Sequence, residues 1–493
     1  MAAASIDPGI VYLLRTDASA YSGEAPYHPS ARYPEYPFRA MSGSENRDYG
    51  RVRDLLANYG LDGGRFGTPL WNPLGGIIRP GNTVLIKPNM VMHVHERGLD
   101  IGSVITWGSV IRPVVDYAYR ALGGNGRIII ADAPLQACDF GKITELNGCA
   151  AIAEFYGREA GFALELLDLR SAMALKDAHG AVRGLRTLNN DPGRTVAVDL
   201  GGRSCLAGDE ARYRVTNYSP RVMRRYHGDG RHRYLIPRGV LEADVIINMP
   251  KPKAHRKAGV SIAMKNMVGA AGEKACLPHH RLGSRAEGGD EYLRRSALKR
   301  WATRLQELMD EAGIRGRRAP LRALRPVLQA VNGLIRRSRK DPYREGSWWG
   351  NETIGAMICD LNAIITFSDL RGEMRDSPQR TQLVIADGII AGEGEGPLGP
   401  DPVHSGFLAI GLNAPAVDSA VAKIMGFDPG KIPHIRDAFS LAIAPSGIRR
   451  PGDISLRSNH PPWSGVRVSE IPRSETLLFR PPASWAGHIE LEV

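Results

Sequence analysis

The chain has 493 residues, 43% of them hydrophobic, and carries a net charge of +12. This length buries a large core and fits two or three domains, or one α/β domain with insertions, and the composition excludes a disordered chain. No run reaches the roughly 18–20 apolar residues of a membrane span, the first 20 residues lack the pattern of a secretory signal, and the scattered cysteines (Cys138, Cys149, Cys205, Cys276, Cys359) form no Cys-x-x-Cys, which argues against an iron–sulfur cluster and suits a reducing cytoplasm.

In chain order, residues 1–80 hold one strand, Ile10 to Leu14, and a Tyr- and Pro-rich loop whose tyrosines at 21, 27, 33 and 36 either line a pocket or pack as a lid. A regular pattern begins within 81–292. Thr83 to Ile86 reads as a strand, Val110 to Leu122 as a helix stopped by Gly123-Gly124, and Arg127 to Ala131 as a strand. Thr144 to Glu159 reads as a helix and Ala163 to Leu167 as a third strand, so strand and helix alternate as in a parallel sheet covered on both faces. Polar turns and candidate antiparallel strands occupy 170–240, and Val245 to Met249 is an apolar strand.

Residues 293–340 contain fourteen Arg and Lys against three acids, an excess of eleven that accounts for nearly all of the net charge. Leu298, Trp301, Leu305 and Leu308 share one helical face, as do Leu321, Leu324, Leu328, Val331 and Ile335; Gly313, Gly316 and Pro320 separate the two. The expectation is a basic helical hairpin inserted into the α/β domain. The domain resumes over 341–448, with a helix from Thr353 to Ile365, strands Leu383 to Ala386 and Phe407 to Gly411, and a helix from Ala414 to Met425. Residues 449–493 are Pro-rich and irregular in pattern.

Chemistry concentrates after the strand at Val245. Pro250-Lys251-Pro252-Lys253-Ala254-His255 is followed by Lys265-Asn266, Gly269 to Gly272, His279-His280 and Gly288-Gly289-Asp290-Glu291. Lysines at strand ends clamp anions or, when desolvated, act as bases, and glycines let backbone N–H groups approach an anion. Lys87, Asn89, Asp132, Lys251, Lys265 and Asn266 therefore read as binding residues, joined by Glu393 and Glu395 of a Gly-alternating loop. Lys253, His255 and His280 are the candidate catalytic groups. His279, His280, Asp290 and Glu291 supply N and O ligands suited to zinc, iron or manganese, with acid–base or structural use as the alternative. No Gly-x-Gly-x-x-Gly follows a strand, and neither a P-loop nor a Gly-x-Ser-x-Gly elbow is present, so no nicotinamide cofactor is indicated.

Lys87-Pro88-Asn89, Asp132-Ala133-Pro134, the Pro250 to His255 run, Lys265-Asn266-Met267-Val268-Gly269, Asp387-Gly388, Gly392 to Pro397 and Ala416-Val417-Asp418 together resemble the bacterial and archaeal domain of unknown function 362 family. The resemblance runs from about Thr83 to Phe439 around the basic insertion. Asn351-Glu352-Thr353-Ile354, Asp360-Leu361-Asn362 and the Gly-Gly-Asp-Glu-Tyr run resemble a longer subgroup, which implies a link to surface-polysaccharide metabolism. Many members carry a C-terminal ferredoxin-like cluster domain, and this chain lacks those cysteines.

The expectation is an α/β fold with a mostly parallel sheet, helices on both faces, and a basic helical hairpin. Its function reads as an enzyme acting on a phosphorylated or carboxylated small molecule, with metal assistance, in the cytoplasm or at the inner membrane face. The alternative is a ligand-binding scaffold recruited by the hairpin. That hairpin suits an anionic membrane surface or a homodimer; nucleic acid ranks last, because the region lacks interleaved aromatics.

Overall fold

The computed structural model describes residues 7–176, 182–188, 195–208, 210–216, 218–314, 317–337 and 341–492. A nine-stranded sheet is built from β1 (Ile10–Arg15), β2 (Thr83–Pro88), β3 (Arg127–Asp132), β4 (Leu164–Asp168), β5 (Val245–Met249), β6 (Thr381–Gly388), β7 (Phe407–Gly411), β8 (Ser455–Ser458) and β9 (Val466–Arg467), in the spatial order β9-β8-β1-β7-β6-β5-β2-β3-β4. Strands β6, β5, β2, β3 and β4 are mutually parallel, and β7 runs antiparallel to both β6 and β1. The principal helices are α1 (Arg47–Tyr59), α2 (Gly108–Leu122), α3 (Cys149–Glu159), α4 (Ala297–Ile314), α5 (Arg318–Arg336), α6 (Thr353–Phe367) and α7 (Ala414–Ile424).

Both sheet faces are covered, which is why the central strands read as continuous apolar runs. In β5, Val245, Ile247 and Met249 pack with α1, α2 and α3, whereas Ile246 points to the opposite layer with α6 and α7. The same period-2 split assigns Val84 and Ile86 to one layer and Leu85 to the other. The carboxyl ends of β2, β3, β5 and β6 therefore open along one edge, where ligands of parallel sheets bind.

The helix expected over Thr144 to Glu159 is two helices, Phe140–Leu146 and α3. The chain breaks at Gly148, where φ is +80° and a Cβ would lie 2.5 Å from the Tyr27 ring, so only glycine fits. The C-terminal stretch, irregular in pattern, supplies β8 and β9.

Helices α4 and α5 pack on each other through Ala302, Leu305, Leu328, Val331 and Ile335. On α4 this seam is rotated from the expected face: Leu305 is buried, but Leu298, Trp301 and Leu308 are exposed, because Ala302 and Met309 take their place. Gly313 lies inside α4, and Pro320 sits in the first turn of α5, where no intrahelical N–H is needed. The expectations for Arg315, Gly316, Arg339 and Lys340, and for the side chains of Arg318, Leu321 and Arg322, fall outside the described residues.

Candidate functional site

Two buried ion pairs floor the carboxyl edge of the sheet. Lys87, at the end of β2, bonds Asp132 at the end of β3, Nζ to Oδ1 at 2.8 Å, and also reaches Asn266 Oδ1 at 3.2 Å. Asp132 Oδ2 accepts from Met90 N, and Asn266 Nδ2 donates to Lys87 O and Asn248 Oδ1. Gly269 makes this packing possible, since a Cβ there would sit 2.0 Å from Asp132 Oδ1 and 2.7 Å from Lys87 Nζ. The glycines of 269–272 thus serve close approach of side chains and backbone; at Gly272 a Cβ would meet Leu169 O at 2.6 Å.

Lys251, just past β5, bonds Asp387 at the end of β6, Nζ to Oδ2 at 2.7 Å, and also donates to the Tyr21 hydroxyl and to Ile390 O. Tyr21 donates to Asp387 and stacks on Trp107, whose N–H reaches the same carboxylate. Tyr21 thus enters the site, whereas Tyr33 stacks on Tyr49 and Tyr36 accepts from Arg112. Lys87 and Lys251 are fully buried and paired, so they act as internal struts, and removing either partner would strand a buried charge.

The lysines beyond this floor are different. Residues 253–255 form a strand pairing with Gly259–Ser261 and, through Lys253 opposite Gly392, with Ala391–Glu393. Lys253 and His255 share one side of this three-residue strand, and Lys257, in the turn that follows, lies close enough to act on both His255 and Lys265. Lys253 Nζ donates to Val104 O at 2.6 Å and has no acid partner. Among the described residues Lys265 has no hydrogen-bond partner, and it keeps some solvent access. Burial, reinforced by Lys274, Lys87 and Lys257, pushes its amine down to about 7. Lys274 is pushed down to about 8 by burial and nearby Lys87 and Arg170, and burial with Lys251 and Lys265 holds Lys253 well below the ordinary lysine value. For Lys253, Lys265 and Lys274 the opposing carboxylate is Asp132, already bonded to Lys87. Lys257 and Lys274, absent from the expected set, therefore belong to it.

Histidines complete the cluster. His255 Nδ1 accepts from Lys257 N and Ala258 N, which fixes the ring proton on Nε2. His279 Nδ1 lies 2.8 Å from Leu277 O, a group that only accepts, so its Nε2 carries the lone pair. Burial and the charges of Lys257 and Lys265 push His279 down to about 3. His280 is buried, held neutral by burial and Lys257, and its Nδ1 has no partner. Asn89 turns into a local bend, with Oδ1 accepting from Val91 N.

The acids named alongside the histidines are engaged elsewhere. Asp290 accepts from Arg281 N and from Thr353 N and Oγ1 at the start of α6, while Glu291 accepts from Gly283 N and the Thr303 hydroxyl. The structure does not gather His279, His280, Asp290 and Glu291 into a ligand set: among the described residues, no group of three or more His, Cys, Asp or Glu side chains is placed to hold a metal ion. Glu393 accepts from Arg480 N and Nε, and Glu395 from Ala483 N, so the Gly-alternating loop fastens the C-terminal stretch. Gly396 lets that loop pass beneath the Lys-Ala-His strand, where a Cβ would lie 1.9 Å from Ala254 O. Asp418 accepts from Ala263 N and Met264 N, fixing the segment that carries Lys265; burial raises its carboxyl to about 8. A surface depression of about 390 Å³ between Glu24 and Ser44 shares no residue with this cluster.

A family model described as a domain of unknown function (DUF362) matches residues 169–423, a span holding Lys251, Lys253, His255, Lys265 and His279. The chain is similar to the thylakoid-associated protein sll1697 of Synechocystis sp., at 22% identity over 395 residues that cover 80% of this chain and 78% of the relative. It is also similar, at 10% identity and a TM-score of 0.24, to the crystal structure of a Thermotoga maritima structural-genomics target; that match covers 73% of this chain and 56% of the other.

Proposed function

The chain belongs to the DUF362 family, and from that premise and the lysine cluster we propose that it binds a phosphorylated or carboxylated small molecule at the carboxyl edge of the sheet and acts on it as an enzyme. The observation that carries this reading is Lys265, set among Lys253, Lys257 and Lys274 and, among the described residues, without a hydrogen-bond partner or a free carboxylate beside it. Clustered amines repel one another at a cost that an anion relieves. His255 offers an N–H and His279 a lone pair, a complementary couple for moving a proton once the lysines hold the anionic end.

All five cysteines are free, which favours a reducing compartment. Among the described residues no helix is long and apolar enough to cross a membrane. The thylakoid association of the Synechocystis relative supports a peripheral seat at a membrane face.

The test is calorimetric titration of the wild type and a Lys265→Met variant with pyrophosphate, a sugar phosphate and citrate. At least one anion should bind the wild type, and affinity should fall at least tenfold in the variant. Equal affinity in the two proteins, or no binding by the wild type to any of the three, would overturn the reading.

A further inference from the structure

The α4–α5 pair carries a second feature, independent of the lysine cluster. Leu298, Trp301 and Leu308 on α4 and Val327 and Leu334 on α5 are 38–56% exposed, although each helix also buries a separate apolar seam against the other. At about 100° per residue, Trp301 and Leu308 on α4 and Val327 and Leu334 on α5 precede the seam by roughly 80°, while Leu298 lies on the line of the seam one turn before it. Three residues separate Ile314 from Arg318, so α5 returns along α4. In an antiparallel pair the same rotational offset turns both stripes to the same side, and they form one apolar face.

Charge frames this face. Arg304 on α4 and Arg337 at the end of α5 are exposed and lie roughly 50–70° beyond the stripes, away from the seam. The three acids of α4 are engaged: Glu307 bonds Arg214 at 2.5 Å, Asp310 accepts from Gln306 at 2.8 Å, and Glu311, about 20° from Arg304 around the helix, is neutralised by Arg221 at 3.3 Å. The outward face is left cationic, with a tryptophan and aliphatic side chains between arginines.

We propose that the α4–α5 pair is a lipid-docking surface that seats the protein on a membrane rich in anionic headgroups. Arginines meet the headgroups while the apolar stripes and Trp301 enter the boundary with the acyl chains, the arrangement of interfacial amphipathic helices. A second copy of the same face would bring arginine against arginine, and a nucleic-acid backbone offers nothing apolar to cover Leu298, Leu308, Val327 and Leu334.

The experiment is flotation of the full chain with phosphatidylcholine vesicles and with phosphatidylcholine–phosphatidylglycerol vesicles at physiological salt. The wild type should float with the second and stay behind with the first. Arg304→Gln with Arg337→Gln should weaken binding roughly twenty-five-fold, about fivefold for each arginine. Leu298→Ser, Trp301→Ser and Leu308→Ser together should abolish it. These side chains are exposed, and the arginine variant leaves the helix seam untouched, so that variant keeps the test valid if the serine variant unfolds. Equal flotation with both vesicle types, or undiminished binding by the arginine variant, overturns the proposal. So does a wild type that fails to float but forms a dimer, or captures a nucleic-acid duplex, through these residues.

Discussion

Replacing Lys265 by methionine should make the protein more stable while costing it its ligand. In an unfolded chain the amine ionises near 10.5, and in the folded protein near 7. At about 1.4 kcal/mol per tenfold change in proton affinity, that gap corresponds to about 4–5 kcal/mol against the charged amine. Residual solvent access screens part of this, leaving about 2 kcal/mol as the expected effect. The sign with pH follows from proton counts. Between about pH 7 and 10.5 the unfolded chain holds a proton that the folded protein has released, so this residue's destabilisation fades as pH rises; below about 7 it is present in full. Lys265→Met should therefore melt a few degrees above the wild type near pH 6, with the difference shrinking toward pH 10. Differential scanning calorimetry at both ends of that range reads it out. Added pyrophosphate should reverse the order, raising the wild type alone, because a ligand stabilises only the state that binds it. A variant less stable at acid pH, or a difference independent of pH, would refute the account of Lys265 as a strained, unpaired cation.

Gly269→Ala places a methyl 2.0 Å from Asp132 Oδ1 and must displace the Lys87–Asp132 pair, so a loss of about 3–5 kcal/mol is expected in urea unfolding; an unchanged midpoint would contradict the packing argument. Asp290→Ala removes acceptors from Thr353 N and Arg281 N and should cost about 1–3 kcal/mol with pyrophosphate affinity retained. Elemental analysis of protein purified without chelator should find the same metal content in that variant as in the wild type, and a stoichiometric metal lost with Asp290 would reinstate it as a ligand. Glu393→Ala removes the acceptor of Arg480 N and Nε, leaving that side chain only its bond to Asp401, and should speed tryptic cleavage of the C-terminal stretch, at a stability cost of about 1 kcal/mol or less because Arg480 is solvent-exposed.

The central strands were legible from sequence because they are buried on both faces: Val245 to Met249 and Phe407 to Gly411 have the bounds their apolar runs suggest. The strands β8 and β9 were not, since strands of only four and two residues in a Pro-rich stretch leave no usable period. Lys87, Lys251, Lys253 and Lys265 were identifiable by type and by their position after strands. That two of them are paired and two are not depends on Asp132 and Asp387, acids contributed by other strands, and spacing along the chain does not encode that pairing. Lys257 was not legible, because it lies in the turn after the three-residue Lys253–His255 strand, where alternation no longer tells which way a side chain faces. Asp290, Glu291, Glu393 and Glu395 carry the right chemistry for a site, but backbone N–H groups claim them, those of Arg281 and Gly283 in the preceding turn and those of Arg480 and Ala483 far along the chain, and sequence does not reveal such partners.

The place of β1 in the sheet bears on how the protein is made. Its neighbours are β7 and β8, with Tyr12 opposite Ile410 and Ile10 opposite Ser455. Once made, β1 therefore has no partner until nearly four hundred more residues have followed, a wait of roughly 20–80 s at about 5–20 residues per second. Throughout that interval Val11, Tyr12, Leu13 and Leu14, all buried in the finished sheet, are an unpaired apolar segment. Yield in a foreign host should accordingly depend on chaperones that shelter nascent chains, and a polar tag fused ahead of Ile10 is a better aid to production than any change at the lysine cluster.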